Sequence, residues 1–456
     1  MKSTQVLLLC LVLLATGLTE PRAQDTPAKA FENVTIHTAD GNTIDNGTII
    51  WRNGIIEKMG TGIQIPFDAY VIDGGDSLHI YPGFLDGMAT WGSPDLPDQY
   101  ETPDRPGEPS YERAGIQPQR HPSNLLNAKD SNLSGAQKKG FTTALLGLKG
   151  FMLPGQLDLF FLNGRQTGDY LFSRGKGILA KFEDAPGAAY PNTLMGMMAK
   201  YRQLWYDAEA LQQQKSYFAT AKGQYPAPLG DEVLEALVPV MNREQPLYFV
   251  VDTKENIDRL LKLQDELNFS LVIVSGKEAY ARTDQLKSRK IPVLASIDLP
   301  EKPDWKVKEE KAERDTAEVL EEREEITEEM RIFRKQQMAA YKASVENIRK
   351  LMEAGVKVGY ATNEMKLSDF RENLATLRKE GGLTDQQILA MLTRNTAEIL
   401  GVNRELGGLQ PGQIASFSLF TKPFEAEKTE IKYSISGGII SEFDVKTPSK
   451  NKENDE

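Results

Sequence analysis

The sequence predicts an α/β protein, a (β/α)8 barrel with β-rich segments at both ends of the chain. Three observations carry that prediction. From Tyr81 to Tyr360, short apolar runs alternate with amphipathic stretches of helical period, the pattern of parallel strands covered by helices. That span of roughly 280 residues suits one eight-fold barrel, which typically needs about 250 before insertions. The two ends lack this alternation and consist of short strands separated by turn residues.

The ends and the middle justify themselves element by element. Residues 34–37 alternate as a strand, with Asp40-Gly41 and Asn46-Gly47 as hairpin-type turn signals. Residues 48–51 form the next strand, Arg52-Asn53-Gly54 a turn, and residues 55–59 another strand. In the middle, 141–148 is a buried strand behind a helix ending at Lys139-Gly140. Residues 178–182 are a strand preceded by Arg174-Gly175-Lys176-Gly177, read as a loop turn or, alternatively, an anion cradle. Strands at 247–251, 270–274, 291–295 and 356–360 alternate with helices at 254–267, 278–288 and 339–354. A Thr384…Gln387 capping box opens a further helix, 409–443 returns to strands and turns, and the polar tail 447–456 is expected to be disordered.

Two insertions lengthen the middle. Residues 94–122, rich in Pro, Asp, Glu and Arg, read as a long loop after the first strand. Residues 301–337 are dominated by Glu, Lys and Arg on a helical period. They predict a solvated helix laced with i,i+4 ion pairs worth about 0.2–0.5 kcal/mol each; a helical arm or lid over the barrel mouth is the alternative. Met195, Met197 and Met198, followed by Tyr201, Leu204, Trp205 and Tyr206, have helical spacing. They predict a core face, with a partner interface as the second reading.

Composition narrows the function classes. With 456 residues, 40% apolar and 26% charged, the chain is long enough to bury a large core and ordinary in balance. A net charge of −11 argues against nucleic acid, since nothing neutralises a run of phosphates. Lys2, the apolar run 6–18 and the polar Arg22-Ala23-Gln24 read as an export signal over residues 1–24, too short to span a bilayer. Cys10, the single cysteine, lies inside that run, so the mature chain would carry no thiol, which suits an oxidising compartment. The expectation is an exported, periplasmic protein without a membrane span.

Several ordered motifs resemble a known family. They are Asn46-Gly47-Thr48-Ile49-Ile50-Trp51-Arg52-Asn53-Gly54-Ile55-Ile56, Val71-Ile72-Asp73-Gly74 and Tyr81-Pro82-Gly83-Phe84-Leu85-Asp86. Near the other end stand Leu392-Thr393-Arg394-Asn395-Thr396-Ala397-Glu398-Ile399-Leu400-Gly401 and Leu406-Gly407-Gly408-Leu409-Gln410-Pro411-Gly412-Gln413-Ile414-Ala415. The chain resembles the amidohydrolase superfamily, imidazolonepropionase-like, over nearly its whole mature length. That resemblance implies a TIM barrel at 81–403 and a composite β-sandwich built from 25–80 plus 404–446. Gly140-Phe141-Thr142-Thr143-Ala144, Pro154-Gly155-Gln156 and Tyr190-Pro191-Asn192-Thr193-Leu194-Met195-Gly196-Met197-Met198 are similar to the metal-ligand-depleted half of exported bacterial tandem amidohydrolases.

The resemblance also implies a metal site that these residues do not supply. Catalytic relatives use zinc, held by two histidines after the first strand, one each after the fifth and sixth, and an Asp after the eighth. The ion lowers the pKa of water from about 16 to about 7. Here the first pair is Met88 and Thr90, the fifth-strand end is Val250-Val251-Asp252, the sixth is Ser275-Gly276, and Asn363 stands for the Asp. An amide cannot serve as the proton-transferring base. His37 and His79 precede the first barrel strand and His121 follows it, and a single ligand makes no zinc site.

Carboxylates offer the one substitute. Asp86, Asp252, Glu183 and Asp184 lie near predicted C-terminal strand ends, and an oxygen-only set would suit magnesium or calcium. Each has a plainer role as well. Asp86 would be hydrogen-bonded in the barrel floor, Asp252 with Glu255 would cap a helix, and Glu183-Asp184 would open a turn. No G-x-S-x-G occurs. The expected function is therefore that of a non-catalytic structural or regulatory partner of an active amidohydrolase paralogue, or a homo-oligomer, with no cofactor. The alternative is an active hydrolase of cyclic-amide or peptide C–N bonds using a carboxylate-based metal site.

Overall fold

The computed structural model describes residues 26–163, 171–224, 226–314 and 326–445. The predicted export signal, the tail 447–456 and the middle of the charged insertion lie outside the described residues.

Both ends of the chain meet in one eight-stranded sheet. β1 (Lys29–His37), β2 (Thr43–Arg52), β3 (Ile55–Gly60), β4 (Tyr70–Asp73) and β5 (His79–Pro82) come from the first end. The second end supplies three more strands, Phe417–Phe420, Ile431–Ser436 and Ile439–Glu442. The first of these pairs antiparallel with β5, placing Phe417 opposite Pro82 and Phe420 opposite His79. The sheet curls around Phe31, Trp51 and Phe417, and Trp51 Nε1 donates to the Gly438 carbonyl at 3.1 Å across the fold. Asn46-Gly47 is not a hairpin turn. It lies inside β2, where Asn46 takes a left-handed φ of 49° and the register with β1 shifts, a bulge. A Cβ on Gly47 would sit 2.8 Å from Ile36 Cδ1, so the position also needs a missing side chain.

The second eight-stranded sheet is the barrel wall. In order it holds β6 (Phe84–Ala89), β7 (Phe141–Leu146), β8 (Gly155–Phe161), β9 (Leu171–Lys181), β10 (Leu247–Val251), β11 (Leu271–Ser275), β12 (Val293–Ala295) and β13 (Val358–Tyr360). A parallel bridge between Ala89 and Asn363 brings the last strand back to the first. One strand departs from the predicted βα repeat: β8 runs antiparallel to both neighbours. The cause is local. Residues 147–154 are all that join β7 to β8, fewer than the dozen or so needed for a crossover helix.

Alternation along the strands divides the side chains into two sets. Leu85, Leu145, Leu157, Leu159, Leu179, Val272, Val274 and Leu294 form one cluster filling the barrel axis. Phe141, Ile178, Phe249, Ile273 and Val293 face the helices outside. A fully buried leucine contributes about 1.5–3 kcal/mol, so the leucine-filled axis is a major part of the core. The helix Leu194–Thr220 buries Met197, Tyr201, Leu204 and Trp205 and leaves Met195 and Tyr206 exposed. The charged insertion contains two described helices, Asp304–Arg314 and Glu328–Val345, tied together where Trp305 Nε1 donates to Gln337 at 2.9 Å and stacks under Arg334.

Candidate functional site

In a parallel barrel the chemistry belongs at the C-terminal ends of the strands. At the end of β6, Met88 is 0% exposed and packs with the axial leucines. Its carbonyl accepts the Asn363 N–H at 2.9 Å. The preceding residue leaves no room for a side chain: a Cβ on Gly87 would meet Leu294 Cδ2 at 2.4 Å and the Tyr360 carbonyl at 2.7 Å. Thr90, just past the strand, is half-buried.

Asp86 is fully buried and bound to backbone on both sides of the barrel seam. Oδ1 accepts the Met88 N–H at 3.0 Å, and both oxygens accept the Thr362 N–H, at 3.1 and 3.2 Å. Burial pushes its carboxyl up to about 7, against the opposing pull of those hydrogen bonds from Thr362 and Met88. The side chain acts as a staple between the first and last strands.

Asn363, at the eighth-strand position, has φ 51°, a left-handed conformation that Asn tolerates better than most residues. Its Oδ1 is buried without a partner. So is Oδ1 of Asp252, and the predicted capping role is the correction here. Thr253 caps the helix Lys254–Leu267, accepting the Asn256 N–H, and Glu278 rather than Glu255 accepts the Lys254 N–H. Asp252 is left with no part in the helix start. It lines a cleft of about 330 Å³ with Ser296, Lys277 and Asp298, the last two paired at 2.6 Å.

Lys181 is the mouth residue that sequence reasoning missed. It ends β9 two positions beyond axial Leu179, so strand alternation turns it to the same side. Its side chain is 8% exposed and bridges Glu183 and Glu364, both at 3.2 Å. The detectable signal was a lysine inside an apolar strand run. Glu183 is thus engaged in an ion pair, while Asp184 is exposed.

Two of the three histidines lie against each other in the β-rich sheet, and the third lies against an aspartate. His37 Nε2 lies 3.1 Å from His79 Nδ1, and the His37 ring stacks on Tyr81 at 4.3 Å. His121 Nδ1 lies 3.1 Å from Oδ1 of buried Asp158, which also accepts the N–H groups of Ser123 and Gly175. That last bond shows Gly175 inside β9 with its N–H already engaged, not free in an anion cradle. Among the described residues no three His, Cys, Asp or Glu side chains gather to hold a metal. Thioether, hydroxyl and amide at Met88, Thr90 and Asn363 do not form the N/S/carboxylate set that zinc requires, so the residues present do not fit that ion.

Residues 339–442 match the family model described as Amidohydrolase family. Those residues match that family, and the described fold is one shared with solved amidohydrolases. An amidohydrolase from Thermotoga maritima MSB8 superposes with a TM-score of 0.72 at 19% identity, over 90% of this chain and 99% of that one. A second amidohydrolase gives 0.51 at 14%, over 92% and 100%. A prolidase solved with N-methylphosphonate-L-proline gives 0.50 at 13%, over 91% and 99%. At these identities the likeness is one of superfamily fold. No curated protein matches the chain. Among the described residues, no helix is long and apolar enough to cross a membrane.

Proposed function

We propose that this chain belongs to the amidohydrolase superfamily, is exported and does not hydrolyse amides, serving instead as a structural or regulatory partner of a histidine-complete amidohydrolase. The observation that supports this most is Met88, wholly buried in the leucine cluster where catalytic relatives are expected to place a metal-binding histidine. Replacing an imidazole by a packed thioether removes a ligand and fills its space together. The absence of nitrogen donors at the ends of β10 and β11, where Asp252 and Gly276 stand, extends the same loss around the barrel. The export part of the proposal rests on the signal-like residues 1–24.

The test is elemental analysis of protein purified from zinc-, manganese- and cobalt-supplemented medium, joined to co-expression with a histidine-complete relative. A metal-free chain that co-elutes with the relative supports the proposal. One transition-metal ion per chain, or two peaks eluting separately, overturns it.

A carboxylate-based site for a hard cation is the second reading. It is favoured by the buried, unpaired Oδ1 atoms of Asp252 and Asn363 at the mouth. Stoichiometric magnesium or calcium, lost in Asp252→Asn, would establish it.

A further inference from the structure

At the opposite end of the barrel from the mouth lies a cavity of about 230 Å³ that neither the fold nor the proposed function accounts for. It is enclosed by the helix Phe370–Lys379, by the turn after the helix Ser131–Gln137 and by the loop following the strand Phe417–Phe420. Phe370, Phe420 and Phe424 give it apolar walls, and all three are buried. Its charged lining comprises three cations, Lys139, Arg371 and Arg378, and three glutamates, Glu372, Glu425 and Glu427.

Those cations are poorly compensated. Arg378 Nε donates to Asp385, but its Nη2 is buried without an acceptor. Lys139 and Arg371, both half-buried, make no ion pair or side-chain hydrogen bond with any described residue. The three also repel one another. Burial first, then Arg371 beside it, pushes the Lys139 ammonium below the usual lysine range. Burial and Arg378 push Arg371 down likewise, with Glu430 opposing. The acids at the rim, Glu372, Glu425 and Glu427, are exposed and form no ion pair with the three.

Half-buried like charges without partners cost stability, and an anion among them removes that cost. A guanidinium fork matches a carboxylate in two parallel hydrogen bonds, better than an ammonium does. Arg378 already stacks over Phe424 at 5.2 Å, which orients its plane. The aromatic walls suit a ligand that carries its charge on an apolar body. We propose that this cavity is a binding site for a small organic carboxylate with an aromatic or other apolar body.

The test is calorimetric titration of the full chain with benzoate, benzamide and inorganic phosphate at low ionic strength. Benzoate should bind one per chain, benzamide should not, and phosphate should bind at least tenfold more weakly. Arg371→Gln and Lys139→Gln should each weaken benzoate at least tenfold. No heat with benzoate, phosphate binding as tight as benzoate, or affinity unchanged in both variants overturns the proposal. Thermal unfolding supplies a second readout. Without ligand, Lys139→Gln should match or exceed the wild-type midpoint, because it relieves repulsion. A clear drop there would mean the lysine serves the fold, and the proposal fails.

Discussion

Both carboxylate oxygens of Asp86 accept the backbone N–H of Thr362, at 3.1 and 3.2 Å, joining the first barrel strand to the last. The seam between β6 and β13 holds only an isolated bridge, Ala89 to Asn363, so a side chain supplies pairing that a longer ladder would otherwise provide. The aspartate of the P-G-F-L-D frame therefore has a structural task.

Asp86→Ala leaves the Met88 and Thr362 N–H groups buried and unpaired, and should cost about 2–4 kcal/mol in urea unfolding. Asp86→Asn keeps an acceptor and should cost less. The pH dependence separates them further. The folded carboxyl titrates at about 7 against an ordinary 3.8, so the folded state holds its proton more tightly than the unfolded chain. Its contribution is full below about pH 4 and declines as pH rises toward 7. Asp86→Asn should flatten that decline; an unchanged slope contradicts it.

Met88→Leu should change stability by less than about 1.5 kcal/mol, because it replaces one apolar chain by another of similar volume. Met88→His should cost about 1–3 kcal/mol by placing an imidazole in the leucine cluster. The double change Met88→His with Thr90→His should still not retain zinc through gel filtration, since the ends of β10 and β11 offer no imidazole or thiolate. Retained zinc would show that histidines at these two positions are enough to hold the ion.

Thr253→Ala should lower stability by about 1 kcal/mol through loss of the cap on the helix Lys254–Leu267. Asp252→Ala should leave stability unchanged or raise it, because the buried Oδ1 it removes has no partner. Thermal or chemical unfolding of the two variants settles the order, and a larger loss at Asp252 would return the capping role to it.

His37 titrates in the opposite sense to Asp86. Burial first, then His79, pulls its imidazole from 6.5 down to about 4, with Asp45 opposing. Stability from keeping it neutral is present above pH 6.5 and is lost as pH falls through 4. His37→Phe, which keeps an aromatic ring against Tyr81, should show a shallower loss between pH 6.5 and 4. Proton NMR of the wild type should find a histidine titrating near 4; a value near 6.5 for His37 would refute the assignment.

Much of the barrel was legible because its elements are specified by neighbours in the chain. The strand 247–251 and the helix 254–267 appear with the predicted bounds, since apolar runs and a period of 3.6 are local properties. The capping box at Thr384 and Gln387 is present for the same reason. The reversed strand β8 was hidden, because an apolar run has no direction until its connection length is known. Asn46-Gly47 misled for a related reason: the same dipeptide serves a turn or a bulge, and the partner strand decides which. Lys181 escaped because strand alternation, not residue type, turns it toward the mouth.

By itself the sequence determined the inventory: three histidines, one cysteine inside a signal-like run, and the P-G-F-L-D frame around Asp86. Counting donors needs no coordinates, so the scarcity of imidazole and thiolate donors was readable from the text alone. Tertiary structure alone decided which polar groups find partners. It gave Asp86 to Thr362, left Oδ1 of Asp252 unpaired, and gathered Lys139, Arg371 and Arg378 against aromatic walls. Those outcomes depend on the register and closure of strands far apart in the chain, which local periodicity does not encode.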